Sequence, residues 1–256
     1  MKKNNKPHIL INIATHGNER IGFYVKKELE KIKTEKGFVE FNVANEKAYL
    51  KNKRFIDQDL NRSFPGKRNG NHEEKLAYTL SKKIKKADVV LDIHSTTSTL
   101  KDAIIITKDT KNTMQLLNAV KPKYVLYMSM NKQNALISSA KVGLAFEYGK
   151  DNDKSVIQKT VRDIKIILSY YGIINVKFKE KKTITRFFKI KKEFQKNKGE
   201  KLKKEISNYK LVKKGDVVAC SKHGDIRATE DFIPILFGEN NYEKIFGFIG
   251  KEYMIA

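Results

Sequence analysis

Residues 8–29 have the sequence HILINIATHGNERIGFYVKKEL and contain the unit on which the fold depends. The short apolar run at 8–15 is closed by Gly17 and predicts a buried strand. From Ile21 onward, apolar residues recur at helical spacing with lysines and glutamates between them, which predicts an amphipathic helix. A strand that leads directly into a helix is typical of α/β proteins.

The same alternation continues to about residue 173. Further strands are predicted at 38–44, 88–94, 103–107, 124–128 and 142–148, and further helices at 72–86, 111–120 and 151–171. Either Asp151 or Asp153 caps the last of these helices. The pattern predicts an α/β domain with a parallel or mixed central sheet.

The pattern changes after residue 173. Short β-rich pieces at 184–190, 209–219, 232–237 and 242–250 are separated by turn sequences such as Lys-Lys-Gly-Asp. We therefore predict two domains, an α/β domain at 1–173 and a smaller β-rich C-terminal domain at 174–256.

The composition excludes several classes of protein. The 256 residues are 40% hydrophobic, too many for a disordered polyelectrolyte, and no apolar run approaches the roughly 20 residues that cross a bilayer. The apolar stretch near the N-terminus is short and contains Asn12, so no signal peptide is expected. The single cysteine, Cys220, excludes an intrachain disulfide and a multi-cysteine zinc site. We expect a cytoplasmic protein that does not bind a membrane.

The net charge of +24 is concentrated in one segment. Residues 176–214 contain 16 Lys or Arg against four Asp or Glu, which is half of the excess. Such a segment could bind nucleic acid or another anionic surface. However, only seven of the 53 basic residues are arginine, and phosphate-binding sites usually rely more on arginine. We therefore favour a solvated, lysine-rich face.

Two short motifs contain candidate metal ligands. His16 and Glu19 lie in THGNE, between the first strand and the first helix, and Gly17 would permit the bend that brings them together. His94 lies in DIHSTTS, at the carboxyl end of a buried strand, where open α/β sheets place their sites. Asp92 shares the strand face of His94 and could orient its ring. Zinc accepts imidazole nitrogen and carboxylate oxygen. Alone, a His-x-x-Glu match is more often a surface pair than a ligand pair, and a lone strand-end histidine is as often simply hydrogen-bonded.

Two further motifs contain candidate substrate-binding and catalytic residues. Two of the seven arginines, Arg54 and Arg62, lie in RFIDQDLNRSFPG, with Asn61 beside the second. An arginine fork grips a carboxylate or polarises a carbonyl, but a salt bridge to a nearby aspartate (Asp57 or Asp59) is the alternative. The motif FEYG places a glutamate at 147, at the end of an apolar strand. Near a metal it would act as a general base; otherwise it would reach solvent.

Taken in order, these four motifs resemble the succinylglutamate desuccinylase and aspartoacylase family of the zinc carboxypeptidase superfamily. The resemblance covers roughly residues 8–150 and extends to the C-terminal segments KKGD and PILFGENNYEK. It implies a zinc-carboxypeptidase-like α/β/α domain followed by a smaller β-rich domain. It also implies one zinc ion per subunit, with the ligands His16, Glu19 and His94.

The resemblance assigns the remaining roles. Arg54 would polarise the scissile carbonyl, while Asn61 and Arg62 would hold the carboxylate of a small-molecule substrate. Glu147 would be the general acid and base. Tyr242 matches a tyrosine of the C-terminal domain that contacts the substrate carboxylate.

One departure concerns the substrate. Aspartoacylase has a further arginine about ten residues before its catalytic glutamate, where this chain reads NALISS at 134–139. The nearest cations in the sequence are Lys132 and Lys141. N-acetylaspartate is therefore not the expected substrate.

The sequence thus predicts a zinc-dependent amidohydrolase that deacylates an N-acyl amino acid or a related small carboxylate. The nearest alternative is a metallocarboxypeptidase that acts on peptide C-termini. A basic nucleic-acid-binding protein ranks third. The acyl group, the amine, the pathway and the presence of a homo-oligomer stay open.

Overall fold

The computed structural model describes residues 6–96, 102–129, 134–179, 182–240 and 242–253. Within them, the strands form a nine-stranded mixed sheet and a three-stranded sheet. The strands are β1 His8–Ile13, β2 Phe38–Val43, β3 Val89–His94, β4 Ala103–Ile106, β5 Tyr124–Tyr127, β6 Gly143–Glu147, β7 Arg186–Gln195, β8 Lys201–Leu202, β9 Val217–Ser221, β10 Gly224–Arg227, β11 Ile233–Ile235 and β12 Ile245–Tyr253.

Helices cover both faces of the large sheet. They are α1 Ile21–Leu29, α2 Glu46–Leu50, α3 His72–Ile84, α4 Lys111–Val120 and α5 Lys154–Tyr170, with short 3-10 helices at Leu60–Arg62 and Leu136–Ser139. Because side chains alternate along a strand, Ile9, Ile11 and Ile13 of β1 pack into the core that contains residues of α1, α4 and α5. Leu10 packs into the opposite core, with residues of α3. The structure confirms the predicted α/β class.

The large sheet has the strand order β11-β12-β7-β5-β4-β6-β3-β1-β2. β3 pairs in parallel with β1 and with β6, so the carboxyl ends of these three strands meet at one edge. The register places His94 opposite Glu147. Val90 and Ala145 belong to the core that contains α3, so His94 and Glu147, which follow them at even spacing, lie on that face of the sheet.

Three C-terminal strands continue the same sheet, because β7 pairs in parallel with β5 and antiparallel with β12. The sequence pattern predicts the strands but not this continuation. β8, β9 and β10 form the small separate sheet. On β7, the buried Phe188 and Ile190 alternate with exposed Lys189 and Lys191, as in a solvated lysine-rich face. The domain boundary at residue 173 stays a prediction.

The two aspartates proposed as helix caps serve two different helices. Asp153 caps α5 by accepting hydrogen bonds from the backbone N–H groups of Ser155 and Val156. Asp151 instead accepts the N–H groups of Arg20 and Ile21 at 2.8 and 2.9 Å. It therefore anchors the start of α1, directly after the THGNE motif. No helix of the described residues is long and apolar enough to cross a membrane.

Candidate active site

His16, Glu19 and His94 converge at the carboxyl edge of the sheet. Glu19 lies between the two imidazoles, with Oε1 at 2.7 Å from Nδ1 of His16 and Oε2 at 2.9 Å from Nδ1 of His94. One ligand atom from each residue lies within 4.8 Å of the others, and all three residues are buried. The cluster can hold a metal ion, because imidazole nitrogen and carboxylate oxygen are the ligands that zinc accepts.

The backbone between β1 and α1 bends differently from the sequence-based expectation. The left-handed residue is Ala14, with φ of 53°, rather than Gly17. Gly17 is needed for another reason. A Cβ at this position would lie 2.2 Å from the backbone carbon of Ala48 in α2. The glycine thus allows the loop that carries His16 to lie directly against α2.

One aspartate contacts the far side of each ring. Nε2 of His94 donates to Oδ2 of Asp92 at 2.8 Å, and Asp92 in turn accepts the hydroxyl of Thr15 at 2.6 Å. Nε2 of His16 faces Oδ1 of Asp59 at 3.3 Å. Such contacts fix which nitrogen of each histidine faces a metal. Sequence reasoning identified Asp92 in this role but considered Asp59 only as a partner of Arg54.

The protonation states of the cluster follow from these contacts. Burial alone would lower the pKa of His94, but the carboxylates of Asp92 and Glu19 hold it well above its usual value. Burial alone would raise the pKa of Glu19, yet the two imidazoles hold it below its usual value. The cluster therefore contains an ionised carboxylate between two imidazoles, which is an environment that favours a cation.

Arg54 lies at the mouth of this cluster. Its Nη2 is 2.9 Å from Oδ2 of Asp59 and 2.9 Å from Nε2 of His16, and its Nη1 is 4.0 Å from Oε1 of Glu19. Arg54 therefore makes a salt bridge with Asp59 and also lies beside the cluster, although the sequence pattern presented these two arrangements as alternatives. Burial alone would lower the pKa of Arg54, but Asp59 raises it, so the guanidinium stays charged.

The loop from Arg54 to Asp59 is held by Glu73, a residue that sequence reasoning missed. The Glu73 side chain is fully buried. It accepts the backbone N–H groups of three successive loop residues, 56–58, at 2.7–3.2 Å, and the amide of Asn45 at 2.9 Å. Because a glutamate in the first turn of α3 is compatible with an exposed position, the sequence alone gives no signal for this role.

We expect Glu73→Gln to lower the free energy of unfolding by about 2–3 kcal/mol at pH 7, because the amide nitrogen cannot accept the loop N–H groups. Burial raises the pKa of Glu73, but these hydrogen bonds outweigh it and lower the pKa below the ordinary value of 4.5. The stabilisation is therefore complete above pH 4.5 and is lost as the pH falls through the lowered pKa. Urea unfolding should show the difference between the two proteins shrinking below pH 4.5. The exposed Glu205→Gln is the control; a difference independent of pH would contradict the role of the charge.

The predicted substrate-binding residues line the same cavity as the histidines. Oδ1 of Asn61 accepts the backbone N–H of Leu136 at 2.9 Å, which fixes the side chain. Arg62 is exposed and donates to the backbone oxygen of Asn61 at 2.9 Å. Tyr242 packs edge-on against Phe248 at 5.7 Å between ring centres, and burial raises its pKa. The neutral Tyr242 and the charged Arg62 thus line the same cavity.

Glu147 lies at the end of β6 and lines the cavity beside the histidines. Glu147 is partly exposed, and no hydrogen bond from another described residue reaches its carboxylate. Burial raises the pKa of Glu147 to about 7, with a further contribution from the Glu19 charge against the opposing histidines. A carboxyl group with such a pKa can both accept and give a proton near neutral pH.

The structure therefore brings all eight predicted site residues to two adjoining cavities: His16, Glu19, Arg54, Asn61, Arg62, His94, Glu147 and Tyr242. Their individual roles stay predictions. Thr97 and Ser98 of the DIHSTTS motif, and Lys132, lie outside the described residues.

The fold and the site define an α/β protein with a His-Glu-His cluster and a carboxyl group of raised pKa at one sheet edge. The family model of the succinylglutamate desuccinylase/aspartoacylase catalytic domain matches residues 5–166, and the chain belongs to this family. A relative named "probable aspartoacylase" from Acaryochloris marina is 30% identical over 168 residues, which are 58% of this chain and 57% of the relative. The chain thus spans less than two thirds of that curated relative.

Solved structures share the fold over nearly the whole chain. Murine aminoacylase 3 has a TM-score of 0.81 and 15% identity, over 98% of this chain and 97% of the other. A succinylglutamate desuccinylase/aspartoacylase from Rhodobacter sphaeroides has a TM-score of 0.77 and 16% identity, over 98% and 87%. At such identities the similarity concerns the fold, including its C-terminal β region.

Proposed function

We propose that this chain is a zinc-dependent deacylase that cleaves the amide bond of an N-acyl amino acid or a related small substrate with one free carboxylate. The observation that carries the proposal is the convergence of the His16, Glu19 and His94 cluster with Glu147 at two adjoining cavities. The family and the name of the Acaryochloris marina relative support hydrolysis of an amide. The cytoplasmic location stays a prediction.

The donor set fits zinc. Two imidazole nitrogens and one carboxylate match the ligand types and the number that catalytic zinc sites use. The aspartates behind the two rings leave both Nδ1 atoms directed toward Glu19. Metal binding releases protons from such ligands, so a divalent cation can replace the protons that now join Glu19 to the rings. When bound, zinc would supply a water of lowered pKa and polarise the scissile carbonyl.

The residues of the chain account for the other parts of the reaction. Glu147 accepts a proton from the attacking water and then gives it to the leaving amine nitrogen. Arg54 donates N–H groups to the carbonyl oxygen as it becomes negative, in a site where the low dielectric strengthens that contact. Asn61 and Arg62 bind the substrate carboxylate and so orient the amide.

We expect the purified protein to contain about one zinc ion per chain, and His94→Ala to lower the zinc content at least tenfold. Elemental analysis after dialysis measures this. Hydrolysis of a panel of N-acyl amino acids and short peptides, before and after removal of the metal by a chelator, tests the reaction. Cleavage of the peptides alone would favour the metallocarboxypeptidase alternative.

His223→Ala is the control for this experiment, because His223 is an exposed histidine in the turn between β9 and β10. It should leave the zinc content unchanged. Protein that takes up no divalent metal with high affinity, or activity that survives the chelator, would contradict the proposal.

A further inference from the structure

The cavity beside Glu147 is apolar on the side that faces away from the histidines. In the sheet order, β6 separates β3, which carries His94, from β4. Ala145 precedes Glu147 on the same face and pairs opposite Ile105 of β4. Met128, at the end of β5, lines the cavity next to them. The sheet surface beyond Glu147 is therefore largely hydrocarbon, with Thr107 as the polar residue that also lines the cavity there.

The cavity walls above this sheet surface also contain buried apolar residues. Ile137 and Ala135, at the Leu136–Ser139 helix, together with Leu236 and Phe248, line the cavity and are all buried. The cations among the described lining residues are Arg54 and Arg62. Both belong to the loop beside the histidines, where the proposed mechanism already uses them.

The lining decides what kind of group this space accepts. A short aliphatic group gains from leaving water, whereas a carboxylate placed here would lose its hydration with no cationic partner among the described residues on this side. The whole cavity, of which this apolar part is one side, has a volume of about 90 Å³. This is less than the roughly 150 Å³ of a cavity that takes up benzene, so the group must be small.

We propose that this apolar subsite, formed by Ile105, Met128, Ile137, Ala145 and Phe248, binds a short aliphatic group adjacent to the scissile amide. The group belongs either to the side chain of the amino acid or to the acyl chain, and the substrate is a monocarboxylate. This inference rests on the proposed function, of which it specifies the substrate class.

Ligand binding tests the subsite separately from catalysis. Calorimetry on the zinc-loaded Glu147→Gln variant compares two pairs of similar shape. N-acetylleucine is compared with N-acetylaspartate, and N-(4-methylpentanoyl)glycine with N-succinylglycine. We expect the aliphatic ligand to bind at least tenfold more tightly in one pair, and that pair identifies whether the group comes from the amine or the acyl side.

A second measurement ties the preference to the subsite. Ile137→Ala enlarges the cavity, and should lower at least fivefold the ratio of the Kd of a benzyl ligand to that of an isobutyl ligand on the side that the first experiment identifies. The two ligands are N-acetylphenylalanine and N-acetylleucine for the amine side, or N-(3-phenylpropanoyl)glycine and N-(4-methylpentanoyl)glycine for the acyl side. Ile106→Ala removes the same atoms from the core on the opposite face and is the matched control. The Kd ratio measured for Ile106→Ala should stay within twofold of the ratio for the unmodified protein.

The outcomes separate the two proposals. Equal or tighter binding of the dicarboxylates in both pairs, no binding of any ligand, or an equal ratio in the two isoleucine variants would overturn the apolar subsite. If the aliphatic preference holds but the unmodified zinc-loaded protein hydrolyses none of the ligands, the subsite stands and the deacylase function fails.

Discussion

Glu147→Gln should lower kcat by about 10²–10⁴-fold while leaving the zinc content unchanged. The amide keeps the size of the side chain but can neither accept a proton from water nor give one to the amine. Burial raises the pKa of the Glu147 carboxyl to about 7, so this group can exchange a proton near neutral pH. The amide of the variant does not titrate in this range. Steady-state hydrolysis and elemental analysis of the same preparation measure the two effects together.

Glu147→Asp distinguishes proton transfer from simple packing. It keeps the carboxyl group but withdraws it by one methylene, so we expect a kcat between those of the unmodified protein and Glu147→Gln. KM should change little in both variants, because the proposed carboxylate contacts of Asn61 and Arg62 remain. Near-normal turnover by Glu147→Gln would remove the glutamate from the mechanism.

The sequence predicts the position of the site because its ligands lie at strand ends. His16 follows β1, His94 ends β3, and Glu147 ends β6. The carboxyl ends of neighbouring parallel strands meet at one edge, so the spacing along the chain is enough to expect proximity. The structure places one ligand atom each of His16, Glu19 and His94 within 4.8 Å of one another.

The residues that support the site could not be predicted in the same way. Glu73 lies in the first turn of an amphipathic helix and Asp59 in a polar, turn-rich segment, and most carboxylates at such positions are solvated. What distinguishes them is which backbone N–H groups and which imidazole face them, and only the tertiary fold determines this. For Asp59 the sequence indicated the contact with Arg54 but not the contact with His16.

The C-terminal strands show the same limit at the level of the fold. Their apolar pieces predict β-structure, but β7 pairs with β5, about 60 residues earlier in the chain. No local signal specifies such a partner, because strand pairing depends on surfaces that form only when the sheet assembles. As a result, Tyr242 and Phe248 reach the cavity from a region that the sequence suggests is separate.

Arg54→Ala should lower kcat by about 10²–10³-fold, since it removes the donor next to the developing negative charge. Its guanidinium lies 2.9 Å from Asp59, its side chain is 45% exposed, and it lines the cavity, so it is both fixed and accessible. Arg54→Lys keeps the charge but loses the planar fork, and we expect it to recover only part of the lost activity. Kinetics with a single N-acyl amino acid measure kcat and KM for each variant.

Arg62→Ala provides the contrast that separates the two arginines. The Arg62 side chain is exposed, and we propose that it holds the substrate carboxylate equally in the ground state and in the transition state. Its removal should therefore raise KM with little change in kcat. If Arg54→Ala also raised only KM, Arg54 would be a second carboxylate ligand rather than the residue that stabilises the oxyanion. Zinc content must stay constant in both variants, because Arg54 also lies 2.9 Å from Nε2 of His16. A loss of metal in Arg54→Ala would instead assign the arginine to holding the ligand ring in place.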